Sequence, residues 1–176
     1  PSAGDELRMS RVYIKELEKI FPKMTLVHSN HSSLVYRRAL KHGLPTDYLK
    51  SYNEYLGVSK KWKWVDDIVI TLSDGSRCFF THGMSANILQ LSMQMGMHVV
   101  QGHYHSKFSI GYFSNPDQLV WGMQVGCLTS QSSLAFDYSR NFKSRFIMGC
   151  GMIINGQPKL MPMVFGKDGE WIKKIA

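Results

Sequence analysis

The chain opens with a helical rhythm. From Glu6 to Phe21 the apolar residues Leu7, Val12, Ile14, Leu17, Ile20 and Phe21 recur near helical spacing, and Pro22 ends the run. Met24-Thr25-Leu26-Val27 is short, apolar and partly β-branched, which predicts a buried strand. It runs into a polar turn, His28-Ser29-Asn30-His31-Ser32-Ser33. A second helix is expected over Leu34 to His42, stopped by Gly43 and Pro45, and a third over Asp47 to Leu56.

The pattern then turns to strands. Asp67 to Leu72 and Arg77 to Thr81 flank Ser73-Asp74-Gly75-Ser76, whose Asp-Gly marks a turn. A helix is expected over Ser85 to Met95, stopped by Gly96, then a strand over His98 to Gln101. Further strands are expected near Phe108 to Phe113, Leu119 to Val125, Phe146 to Ile154 and Leu160 to Phe165. Between the last two, Asn155-Gly156 is a two-residue hairpin signal. No internal repeat or low-complexity linker interrupts the chain, so residues 1–176 read as a single α/β domain.

Composition narrows this reading. The chain has 176 residues, of which 44% are hydrophobic and 19% charged, enough apolar material for one packed core and too much for a disordered segment. No run of 18 apolar residues occurs, so no membrane span is expected. Cys78, Cys127 and Cys150 are odd in number and far apart, which argues against a disulfide framework and fits a reducing, cytoplasmic compartment. The start, Pro1-Ser2-Ala3-Gly4, reads as a processed or engineered terminus. Net charge is +8, with small clusters at Arg37-Arg38, Lys60-Lys61-Lys63, Arg140 to Arg145 and Lys173-Lys174. Such a balance favours anionic partners, nucleic acid among them, and equally describes a solvated basic surface.

The chemistry gathers in three clusters: Asn30-His31, His82-Gly83 and Gly102-His103-Tyr104-His105. Each follows the C-terminal end of an expected strand, where sites form in α/β sheets. Imidazole and amide oxygen suit Mn²⁺, Fe, Zn²⁺ or Ni²⁺. On an extended strand the side-chain period of two would aim His103 and His105 to one face. Each cluster taken singly is weak; their order and placement carry the argument.

In that order the clusters resemble the signature of calcineurin-like metallophosphoesterases, which runs Asp-x-His, Gly-Asp, Gly-Asn-His-Asp/Glu, a lone His and Gly-His-x-His. The motifs cover about residues 4 to 115, and the layout extends the likeness to the C-terminal strands. Phage-type members look closest, through Ser29-Asn30-His31-Ser32-Ser33 and the trailing Asp168-Gly169-Glu170-Trp171. If the gene is phage-borne, the cytoplasm would be the host's. The resemblance implies a β-sandwich core flanked by helices, with the first strand missing or truncated.

It also implies a hydrolase acting on phosphomono- or diesters, nucleic acid among the candidates, through two divalent ions, Mn²⁺ foremost and Fe, Zn²⁺ or Ni²⁺ as alternatives. Asn30, His82 and His103 would ligate one ion and His105 the other. His31 would be the general acid toward the leaving oxygen. Asp5, in a Gly-Asp pair 25 residues before Asn30, would bridge both ions, or would simply cap the helix that follows. Arg37 or Arg38 would touch substrate phosphate, or would be a solvent-exposed helix charge.

The departures are specific. No Asp-x-His precedes Asn30, Ser29 replaces a Gly, and Ser32 replaces the acid that orients the catalytic His. A hydroxyl can accept from an imidazole N–H but adds no negative charge. The chain therefore reads as an N-terminally incomplete domain, a fragment of a longer enzyme, or as a short relative with one weak metal site or none. The alternative function is a catalytically degenerate phosphoesterase-fold module that binds nucleic acid or a protein partner. A structural metal-binding protein is disfavoured, because the cysteines lack zinc-finger spacing. Trp62-Lys63-Trp64 beside Lys60-Lys61 reads as core or as a base-stacking strip. Met93, Met95 and Met97 read as core filler, and His28, His42 and His98 as incidental.

Overall fold

The computed structural model describes residues 3–129, 146–168 and 170–175. The Arg140 to Arg145 cluster and Gly169 lie outside them. The chain divides into two compact units, Pro1–Asp66 and Asp67–Ala176.

In the first unit, α1 spans Ala3–Ile20, β1 Met24–Val27 and α2 Leu34–Lys41. A single 3-10 turn at Thr46–Tyr48 precedes α3 (Tyr52–Leu56) and β2 (Trp62–Val65). β1 and β2 pair in parallel, Met24 opposite Trp62 and Val27 opposite Val65. Trp62 is 2% exposed, and its indole N–H donates to the Phe21 carbonyl at 2.9 Å, fastening β2 to the segment just after α1. Arg11 Nε donates to the Tyr55 carbonyl at 2.8 Å and ties α1 to the last turns of α3.

One expectation fails in this unit. The helix expected over Asp47 to Leu56 is broken by Ser51, which adopts extended angles and caps α3. The Ser51 side chain accepts from the Glu54 N–H, while the Glu54 carboxylate accepts from the Ser51 N–H at 3.0 Å, a reciprocal box that restarts the helix. Trp62-Lys63-Trp64 lies on a strand that the sequence pattern did not suggest, and Trp62 takes the core alternative. Trp62 is buried, Lys63 is exposed on the alternate side, and Trp64 stacks on Tyr52 at 5.2 Å and 15°.

The second unit begins with the hairpin of β3 (Asp67–Thr71) and β4 (Arg77–Thr81). It continues with α4 (Ile88–Met95), β5 (His98–Gln101), β6 (Phe108–Ser114) and β7 (Leu119–Val125). These strands form one mixed sheet in the order β3-β4-β5-β7-β6, with β4, β5 and β7 parallel. β8 (Gly149–Ile154), β9 (Gln157–Phe165) and β10 (Trp171–Ile175) form a second, antiparallel sheet. Asn155 and Gly156 both take left-handed angles, φ 51° and 75°, so that Ile154 pairs with Gln157 across a two-residue turn. The strand β10 was not expected from the sequence.

The central strands of the five-stranded sheet are covered on both faces. Alternation along β4 and β5 sends Phe79 and Val99 to one side, where they pack with Ile88 and Leu91 of α4. It sends Cys78, Phe80 and Val100 to the other side, with Trp121, Met123 and, from the smaller sheet, Ile153 and Leu160. Met95 and Met97 fill the helix side, as expected of them, whereas Met93, expected to do the same, is exposed. Among the described residues the unit is thus one helix, a mixed sheet and a second sheet in layers, an α/β arrangement. Among the described residues, no helix is long and apolar enough to cross a membrane.

Candidate metal-ligating site

In the second unit, parallel pairing sets Thr81 opposite Gln101, so β4 and β5 end level. The residues that follow leave the sheet side by side at one edge. His82 leaves β4, and Gly102-His103 leaves β5. His103 Nδ1 lies 3.1 Å from His82 Nε2, with the rings edge-on at 72° and their centroids 5.0 Å apart.

The His-x-His segment is not an extended strand. His103 has φ 65°, and the Tyr104 N–H donates to the Gly102 carbonyl at 2.7 Å, closing a three-residue turn around it. The alternation expected to aim His103 and His105 to one face does not run through such a turn. His105 is instead set edge-on to Phe146 at 5.2 Å, and its carbonyl accepts from the Ile147 N–H at 3.0 Å. The close approach of the ring pair depends on Gly83. Any Cβ there would sit 2.5 Å from His103 Cβ and 2.9 Å from its Cγ.

The loop after His82 is held by a residue that sequence reasoning missed. Gln101 is 1% exposed; its Oε1 accepts from the Met84 N–H at 3.1 Å and its Nε2 donates to the Ser85 carbonyl at 2.5 Å. This clamp keeps the segment out of α4, which starts at Ile88 behind its Asn87 cap rather than at the expected Ser85. A glutamine closing an apolar strand carries no mark in one dimension of what it will reach.

Two imidazole nitrogens 3.1 Å apart can share one proton or face one cation. With metal–nitrogen bonds of about 2.0–2.1 Å and a ligand angle of about 90–110°, the nitrogens of two rings lie about 2.9–3.4 Å apart. The His82–His103 pair therefore fits the first two positions of a divalent site. Among the described residues, no group of three or more His, Cys, Asp or Glu is gathered around an ion position.

The remaining expected site residues lie in the first unit. The Asn30-His31 turn follows β1 and is prebuilt by hydrogen bonds. The Ser29 N–H donates to Ser32 Oγ at 2.9 Å, and the Ser32 N–H donates to Ser29 Oγ at 2.8 Å. Tyr52 Oη donates to the Ser32 carbonyl at 2.7 Å. Arg37 spends two donors on the same turn, Nη2 on the Asn30 carbonyl at 2.6 Å and Nε on Ser33 Oγ at 3.2 Å. The Ser32 hydroxyl is thus engaged with Ser29. His31 is exposed. Asp5 is the third residue of α1, paired with Arg8, so it is not the helix cap. A carboxylate in the first turn still complements the positive end of the helix.

Two titratable groups in the second unit are core members. Burial pushes the Cys78 thiol up to about 12, which leaves no thiolate at neutral pH. His98, read as incidental, stacks on Trp121 with centroids 4.4 Å apart, and its Nδ1 accepts from the Trp121 N–H at 3.2 Å. Burial lowers its pKa, so the ring is held neutral.

No protein-family model matches the chain, and no curated protein matches it. The functional reading therefore stands on the chemistry of these residues.

Proposed function

We propose that the chain belongs to a metal-dependent phosphoesterase of the calcineurin-like kind, hydrolysing phosphomono- or diesters. The observation that carries the reading is the His82–His103 pair, two ring nitrogens 3.1 Å apart at the level C-terminal ends of parallel β4 and β5. The helix-covered pair of sheets in the second unit supports the sandwich-type fold that the reading expects.

In this reading His82 and His103 hold one divalent ion, Mn²⁺ foremost, and His105 serves the other, while Asn30 as a further ligand of the first ion and Asp5 as the carboxylate bridging both are what the resemblance implies. When bound, such ions supply a hydroxide nucleophile and neutralise charge on the phosphoryl oxygens. His31 holds the proton for the departing oxygen, a contribution of about 10²- to 10⁴-fold. Arg37 holds the carbonyl of Asn30 and so fixes the turn that presents both Asn30 and His31. The charge of +8 favours an anionic substrate and leaves both nucleic acid and a small phosphoester as candidates.

A second reading, a binding module on a degenerate phosphoesterase fold, draws support from Ser32, whose hydroxyl is spent on Ser29. The test is titration of the chain with Mn²⁺, followed by hydrolysis of para-nitrophenyl phosphate and its bis ester. Binding that His82→Ala and His103→Ala each weaken about tenfold or more, with turnover abolished by His31→Ala at unchanged melting temperature, is the expected result. Metal binding without turnover favours the binding module. Absence of any Mn²⁺ binding that depends on His82 and His103 refutes the metal reading.

A further inference from the structure

The first unit carries an open pocket of about 650 Å³ that the proposed phosphoesterase chemistry does not use. One part of its wall is a cluster of rings around Tyr52. His28, Tyr36 and Trp64 each have their centroid 5.1–5.2 Å from that of Tyr52. Another part carries three carboxylates, Asp47, Glu54 and Asp66. No Lys or Arg lines the pocket, in a chain whose net charge is +8.

Several donors of the wall are spent on backbone carbonyls: Tyr36 Oη on Lys50 at 2.6 Å, Tyr52 Oη on Ser32 at 2.7 Å, and Asn53 Nδ2 on Ser59 at 2.7 Å and Trp62 at 3.0 Å. The phenol oxygens keep their acceptor capacity. Among the described residues, no hydrogen bond or ion pair engages the carboxylate of Asp47 or Asp66. His28 Nδ1 is buried without a hydrogen-bond partner. A buried polar atom left unpaired costs about 1–3 kcal/mol unless something meets it.

A pocket that sets ring faces beside three carboxylates, with no Lys or Arg in its wall, calls for a ligand that brings positive charge. Ring faces attract cations through their quadrupole, and carboxylates do so by charge. We propose that this pocket binds a small protonated amine on an apolar or aromatic carrier, with Asp47 and Asp66 facing the ammonium and the Tyr36–Tyr52–Trp64 cluster facing the carrier. The site is independent of the His82–His103 pair, which belongs to the other unit.

The test is a charge series of near-equal shape: phenethylamine, phenethyl alcohol and phenylacetate, titrated against the intact chain by calorimetry and tryptophan fluorescence. The amine saturates and perturbs Trp64 emission, a change lost in Trp64→Phe. The alcohol binds at least about tenfold more weakly. The carboxylate binds weakest of all, although the overall charge of +8 would favour it. The double variant Asp47→Asn, Asp66→Asn brings the amine down to the level of the alcohol without lowering the melting temperature, because both side chains are exposed. Equal binding of amine and alcohol, no saturation by the amine, or full amine affinity in the double variant overturns the proposal.

Discussion

Replacing Gln101 by Met tests whether the segment after His82 is held by one side chain. The two residues are close in volume, so no large cavity opens at a position that is 1% exposed. What changes is the pairing. The Met84 N–H and the Ser85 carbonyl lose their partner at 3.1 and 2.5 Å, and the thioether offers neither a good donor nor a good acceptor. A buried backbone group left unpaired costs about 1–3 kcal/mol. For two groups close to the surface, where water reaches part of the shortfall, the expected loss is about 2–4 kcal/mol. Native-state hydrogen exchange reads this at two places. The amide of Val99, in the core of the five-stranded sheet, reports the stability of the unit and should exchange at least about 30-fold faster, the factor that about 2 kcal/mol gives. The amide of Met84 should lose its protection outright, because its acceptor is gone. A loss under about 0.5 kcal/mol with Met84 still protected would show that the segment is held by something other than Gln101, and the clamp would be discarded.

Two further outcomes follow from the same geometry. Gly83→Ala places a Cβ 2.5 Å from His103 Cβ, so the ring must move; Mn²⁺ affinity should fall by about tenfold or more while the melting temperature shifts little, as competition with a metal-sensitive dye would show. His98 has its pKa lowered from the ordinary 6.5 by burial, so the unfolded chain takes up a proton at a higher pH than the folded one. Stability should therefore be level above 6.5 and decline as the pH falls through that value toward the depressed folded pKa. Urea titrations in which His98→Gln shows the same decline over that window would refute the assignment.

Much of the fold was legible because it follows local periodicity. The strands Met24–Val27, Arg77–Thr81, His98–Gln101 and Leu119–Val125 lie where alternating or β-branched runs place them, and Asn155-Gly156 turns where its tolerance of positive φ allows. The misses have physical causes as local as the successes. Ser51-x-x-Glu54 is a cap signature hidden within a helical pattern. In β2, Trp62, Lys63 and Trp64 alternate with the strand period, but four residues are too few to stand out beside a basic run. The start of α4 is set by its Asn87 cap together with Gln101, which reaches from β5 to the residues before it.

The site divides along the same line. The sequence by itself determined which residues are able to ligate, namely Asn30, His82, His103 and His105, and that each cluster follows a strand, because residue chemistry and strand ends are local properties. It also determined that charge favours anions. Only the tertiary structure decided that His82 and His103 meet, since that depends on the parallel register of β4 with β5 and on the space left by Gly83. Only it decided that His103 sits on a tight turn, where the two-residue alternation of a strand no longer predicts direction. Nor could composition reveal a pocket lined by three carboxylates and no Lys or Arg in a basic chain. Net charge is a sum over the whole surface, whereas a binding site is decided by the few groups that packing turns toward one space.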